Sequence, residues 1–104
     1  MDPVVVVARM QAQPGKAPLL EQAACALVAP SVAEPGCMTY ELYRCPEREG
    51  ALMFFERWRS REALENHLRQ PHLKAFMETA SKLLEGQISV SIWEKIDGAS
   101  HVPS

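Results

Sequence analysis

Glycine is scarce in this chain of 104 residues: there are five, and none falls in a G-x-G-x-x-G run. Nor is there a G-x-S-x-G stretch, so neither a backbone cradle for nucleotide phosphates nor a nucleophile turn is expected. Positive charge is not in surplus. Eleven Lys and Arg face thirteen Asp and Glu, a net charge of −2. Arg57, Arg59 and Arg61 are interleaved with Glu56, Glu62 and Glu65, the pattern of a solvated mixed face, so a nucleic-acid partner is not expected. No apolar run approaches the roughly 20 residues of a membrane span. The N-terminus lacks the basic and long apolar segments of a signal peptide, so the expectation is a cytoplasmic protein without a membrane partner. The three cysteines include no C-x-x-C pair. Cys37 and Cys45 bound one predicted strand, which sets them roughly 26 Å apart and beyond disulfide reach. With Cys25 in a helix, all three read as structural thiols.

What is present is ordinary globular composition, 47% hydrophobic and 23% charged, enough for one core. The reading is a single domain over residues 1–96 with a polar tail over 97–104. Val4 to Ala12 reads as a strand, apolar on both faces along Val4-Val5-Val6-Val7. A helix follows from about Lys16, with Leu20, Ala23, Ala24, Leu27, Val28 and Ser31 on one stripe. Pro30 is expected to kink or end it. Cys37 to Cys45 reads as a strand with Met38, Tyr40 and Leu42 on one face. A loop over 46–50 leads to a returning strand from Ala51 to Arg59, with Leu52, Phe54, Glu56 and Trp58 inward. Ser60 caps a short helix to about Arg69. Pro71 opens another, whose stripe is Leu73, Phe76, Met77, Ala80, Leu83 and Leu84 and which Gly86 stops. Gln87 to Ile96 is a last strand, with Ile88, Val90 and Ile92 on one face.

Strand, helix, strand, strand, helix pair, strand is the split β-α-β order. It predicts an α+β, ferredoxin-like domain: a four-stranded antiparallel sheet with helices on one face. The uncovered face would carry Val5, Val7, Met53 and Phe55, too apolar for water, which predicts a homodimer through the sheets, a dimeric α+β barrel.

The residues able to carry chemistry cluster between Phe54 and Phe76. His67 falls with Leu64 and Leu68 on the apolar stripe of its helix, so it reads either as a buried structural histidine or as a proton-handling imidazole in an apolar cavity. His72, in the first turn of the next helix, reads as a rim or capping residue. Two histidines five apart with no third ligand in view argue against a metal site. Trp58 reads as core or as a flat pocket wall, and Glu56 beside it must be paired, protonated or at a pocket mouth. Tyr40 on the neighbouring strand is its candidate partner.

Several runs resemble those of the antibiotic biosynthesis monooxygenase family, and within it the quinol-monooxygenase-like proteins. They are Pro14-Gly15-Lys16, Glu34-Pro35-Gly36-Cys37 with Tyr40-Glu41-Leu42, Glu56-Arg57-Trp58, and His67 through Phe76 (HLRQPHLKAF). The resemblance spans residues 4 to 96. It implies a ferredoxin-like dimer that oxidises phenolic or quinol-type aromatics with molecular oxygen as co-substrate and no bound cofactor or metal. It implies His67 or His72 as the base, and Trp58, Tyr40, Phe54, Glu56 and Phe76 around a small planar aromatic substrate. A haem-degrading branch has asparagine where Ala8 stands, so haem chemistry is not implied. Isomerase-like processing of a small phosphorylated autoinducer, with Arg9 or Arg44 turned inward, and a non-catalytic dimeric ligand-binding module are the alternatives.

Overall fold

The structure is a computed structural model and describes residues 3–99. Its elements are β1 (Val4–Gln11), α1 (Ala17–Val32), β2 (Cys37–Arg44), β3 (Ala51–Trp58), α2 (Arg61–Leu68), α3 (Pro71–Ala80) and β4 (Ser89–Glu94). The strands form one antiparallel sheet in the order β2-β3-β1-β4, the ferredoxin-like arrangement expected. Strict alternation along β1 and β3 turns Val4, Val6, Ala8, Met10, Leu52, Phe54, Glu56 and Trp58 inward. Ala8, Met10, Leu52 and Phe54 meet Leu20, Ala24 and Leu27 of α1 and Phe76 and Ala80 of α3 in the main core, while Val4, Val6 and Trp58 pack with Leu64 of α2 in a second cluster. Of the tail expected over 97–104, residues 100–104 lie outside the described residues.

Four sequence expectations shift by local amounts. Helix α1 runs through Pro30 and ends at Val32, with Ala33 as C-cap. Pro30 lacks only the donor for one bond, and it sits in the last turn, where little helix remains to be disrupted. In β2 the pairing passes from Cys37↔Trp58 to Thr39↔Arg57, so a bulge makes Met38 the extra residue and turns it to solvent. The inward face of β2 is therefore Cys37, Tyr40 and Leu42. Helix α3 stops at Ala80, well before Gly86. Beyond it the backbone of 83–85 is drawn to the end of β1: Gln13 N–H donates to Leu83 O, Glu85 N–H to Gln11 O, and Leu84 bridges Ala12. Met77, expected in the buried stripe, is nearly half exposed at the edge of a cavity.

That cavity follows from how the helices are spread. Helix α1 lies against β2 and α3, and α2 against β3. Val90 and Ile92 of β4 pair with Ala8 and Val6 and so share their face, yet Val90 is 61% exposed. The helical face of the sheet is thus left open along β4, and a pocket lies there.

Candidate functional site

The pocket has a volume of about 660 Å³, inside the range of small-molecule sites. Its walls are apolar: Val6, Ala8 and Met10 from β1, Phe54 from β3, Phe76 and Met77 from α3, Val90 and Ile92 at the mouth. Among its lining residues from the sheet and α2, the only polar ones are Tyr40, Glu56 and His67. Tyr40 and Phe54, cross-strand neighbours, stack with centroids 5.1 Å apart and planes 4° apart, and Phe76 meets Phe54 edge-on at 6.0 Å. This gives the wall two parallel rings against which a flat molecule can lie.

His67 is set by α2. Ser60 Oγ accepts from the Ala63 N–H at 3.1 Å and caps the helix, which brings Leu64 and His67 inward on one stripe. The imidazole, 2% exposed, lies over Trp58 with centroids 4.6 Å apart. Its Nε2 is 3.5 Å from the Tyr40 hydroxyl. Its Nδ1 lies 2.7 Å from Glu34 Oε2, and His72 Nε2 lies 2.6 Å from that same oxygen. An ionised carboxylate only accepts, so the nitrogen facing it on each ring carries the hydrogen. His67 Nε2 is then left with its lone pair toward the Tyr40 hydroxyl, which can donate to it. Burial pushes the His67 pKa down, against the pull of Glu34, so the neutral ring is favoured.

Glu56 also differs from a surface carboxyl. It is buried, and Trp58 Nε1–H donates to its Oε1 at 2.9 Å. Burial raises its pKa to about 7, with Trp58 opposing and Glu34 adding to the rise. Burial, followed by the nearby Glu56, also holds the Tyr40 phenol well above its ordinary range.

The sequence expectations for this site are met unevenly. Tyr40, Phe54, Glu56, His67 and Phe76 do come together on one cavity. Trp58 is fully buried and does not line the cavity: β3 ends against α2, where the His67 ring packs on the indole. The partner of Glu56 is Trp58, not Tyr40, whose hydroxyl instead faces His67. His72 sits behind the cavity, 6.0 Å from His67 between ring centroids. The missed residue is Glu34. It lies in the turn after α1, 33 and 38 residues from its two histidine partners, and no periodicity marks it. Contrary to the sequence expectation, the two histidines do have a third donor in reach: Glu34, His67 and His72 place three donor atoms within 4.8 Å of one another. Arg9 and Arg44 do not turn inward. Arg9 is exposed on the other face of the sheet, and Arg44, at the end of β2, reaches out along the helical side to pair with Glu21 of α1 at 2.6 Å.

A sequence model of the family described as "Antibiotic biosynthesis monooxygenase" matches residues 3–79. Rv0793 of Mycobacterium tuberculosis, a protein provisionally named a monooxygenase, is 36% identical over 94% of this chain and 96% of its own length. Its solved structure has a TM-score of 0.86 to this one, over 94% of this chain and 99% of that one. The structure of PA3566 from Pseudomonas aeruginosa is 32% identical, with a TM-score of 0.87 over 92% of this chain and 96% of that one. The uncharacterised protein sll1783 of Synechocystis is 31% identical over 89% of this chain, which spans 63% of sll1783.

Proposed function

We propose, from the premise that the chain belongs to the antibiotic biosynthesis monooxygenase family, that it is a monooxygenase or quinol oxidase. Its substrate would be a planar phenolic or quinol-type aromatic, and it would use molecular oxygen without a bound cofactor. The observation that carries this reading is the Glu34–His67 pair behind the stacked Tyr40–Phe54 wall. It fixes the His67 imidazole, with Nε2 beside the Tyr40 hydroxyl, on the wall of an apolar cavity of the right size for two or three fused rings.

In this scheme His67 Nε2 takes the proton of a substrate hydroxyl while Glu34 stabilises the imidazolium that forms. The electron-rich anion passes electrons to oxygen. If the substrate is only oxidised, two electrons and two protons leave the quinol and oxygen becomes hydrogen peroxide. If oxygen is inserted, the substrate supplies all the electrons: a ring CH₂ loses two hydrogens and gains one oxygen atom as a carbonyl, and those two hydrogens leave with the other oxygen atom as water. The apolar walls exclude water from the anion, and a Glu56 carboxyl that is substantially protonated near neutral pH donates to a substrate oxygen. The lining contains no Lys or Arg, which favours an uncharged aromatic over a phosphorylated metabolite. The half-buried apolar residues on the far face of the sheet support a homodimer as the working form.

The test is oxygen uptake with a panel of reduced quinones and anthrones, in the presence of a chelator. Turnover should survive chelation and fall by about 10²–10⁴-fold in His67→Ala. A folded wild-type protein that consumes no oxygen with any of them would refute the oxygen-using reading. Turnover that a chelator abolishes would refute the cofactor-free one.

A further inference from the structure

Glu34, His67 and His72 come from three separate elements, the turn after α1, helix α2 and the start of α3. The two ring nitrogens converge on a single oxygen, 2.7 and 2.6 Å from it. Two helices thus aim donor atoms at one point, and the proton-handling role above uses only one of them. His72 is the unexplained member.

We infer that these three side chains form a binding site for one divalent transition-metal ion, and that an ion there switches the base off. Two imidazole nitrogens and one carboxylate are the donor set of borderline ions such as Zn²⁺ and Co²⁺, and three protein ligands leave a coordination position free. Both rings stay neutral on binding, because each N–H hydrogen moves to the other nitrogen of its ring, and the ion takes the site from the carboxylate's single negative charge to a net charge of +1. The required movement is small. With metal–ligand bonds of about 2.0–2.1 Å in tetrahedral array, each nitrogen needs to separate from the oxygen to roughly 3.3 Å, from the present 2.7 and 2.6 Å.

The surroundings suit such a site. The His67 ring is fixed by Trp58, and its other nitrogen has the Tyr40 oxygen 3.5 Å away, the outer partner that metal-ligating histidines use. Access exists on one side: the His72 side chain is 23% exposed, against 8% for Glu34. Ligation through Nδ1 forces the remaining hydrogen of a neutral His67 onto Nε2, where it points at Tyr40. The Nε2 lone pair that would accept a substrate proton is then lost. Metal binding and base catalysis by His67 therefore exclude each other.

Co²⁺ reads the site without any substrate. Titration of a Cys25→Ser/Cys45→Ser background, which removes the exposed thiols, should show one Co²⁺ per chain with the visible absorption of a low-coordinate centre. His72→Ala and Glu34→Gln in that background should weaken binding by about tenfold or more while circular dichroism stays unchanged. His72 is the safer variant, since its side chain is outside the core. No uptake by the folded background protein overturns the proposal, as does undiminished Co²⁺ binding in folded His72→Ala. Because the readout is stoichiometry and spectrum, its outcome is independent of whether any quinol is turned over.

Discussion

Glu34 and Glu56 are both buried carboxyls near one histidine, yet they do opposite things. Glu34 accepts from two imidazoles and orients His67, so Glu34→Gln should lower turnover by at least about tenfold while leaving the cavity intact. The check is kcat measured beside the affinity for an unreactive aromatic ligand, which should barely change. Glu56 has one donor, Trp58, and otherwise apolar surroundings. Its pKa of about 7 lies above the unfolded value of 4.5, so the folded state holds a proton that the unfolded chain has released. Stability contributed by this group is therefore complete below about pH 4.5 and is lost as pH rises through about 7, a loss of up to about 3 kcal/mol. Glu56→Gln should abolish that part of the slope. Urea midpoints for both proteins at about pH 5 and about pH 8 measure it, because the difference between them cancels the other titrating groups. Parallel midpoints in the two proteins would show that Glu56 is ionised throughout. Of these residues, His67 was legible from helical spacing, and Glu56 and Trp58 from alternation. Glu34 was not, because its role depends on contacts more than thirty residues away and its local signal is only that of a turn.

At the scale of elements, the site rests on two local devices that the sequence displays openly. Ser60 is the N-cap of α2, the helix that carries His67, and Ser60→Ala should cost about 1 kcal/mol in a denaturant titration. Gly36, at φ +85°, lets the turn after α1 pass under α2, and a Cβ there would come within 2.6 Å of Ala63 Cβ. Gly36→Ala therefore combines backbone strain of about 1–2 kcal/mol with a clash, and the displaced turn carries Glu34. A loss well above that of Ser60→Ala is expected in the same titration, together with a fall in activity that Ser60→Ala does not produce. Strand alternation, Ser60 and Pro71 made β1, β3 and the helix starts legible. Helix ends and the β2 bulge were harder to read. The end of α3 is decided by the pull of the β1 terminus on residues 83–85, and the turn of Met38 by a one-residue pairing slip. Both are tertiary events that a local pattern does not record.

For the molecule as a whole, the open question is what lies against the face of the sheet that carries no helix. Val5 and Val7 of β1 are flanked there by Phe55 of β3 and Trp93 of β4, as the register fixes: Val7 pairs with Phe55 and Val5 with Trp93. The valines and Phe55 are only half-buried, and Trp93 is more than half exposed, in the single chain. Apolar surface of this kind, continuous over three strands, is normally covered, and a second copy of the same sheet offers a matching partner with twofold symmetry. The two tryptophans supply the readout, since Trp58 is fully buried within the chain while Trp93, 58% exposed in the single chain, would be shielded only by a partner on this face. Wild-type protein should sediment as a dimer at micromolar concentration, with both tryptophans protected from aqueous quencher. Phe55→Glu places a charge in the centre of that face and should give monomers in which Trp93 alone becomes quenchable. The cavity lies on the opposite face, so its residues should stay folded in the monomer. A wild-type monomer with Trp93 freely quenched would remove the face-to-face dimer and leave the single-chain pocket as the functional unit.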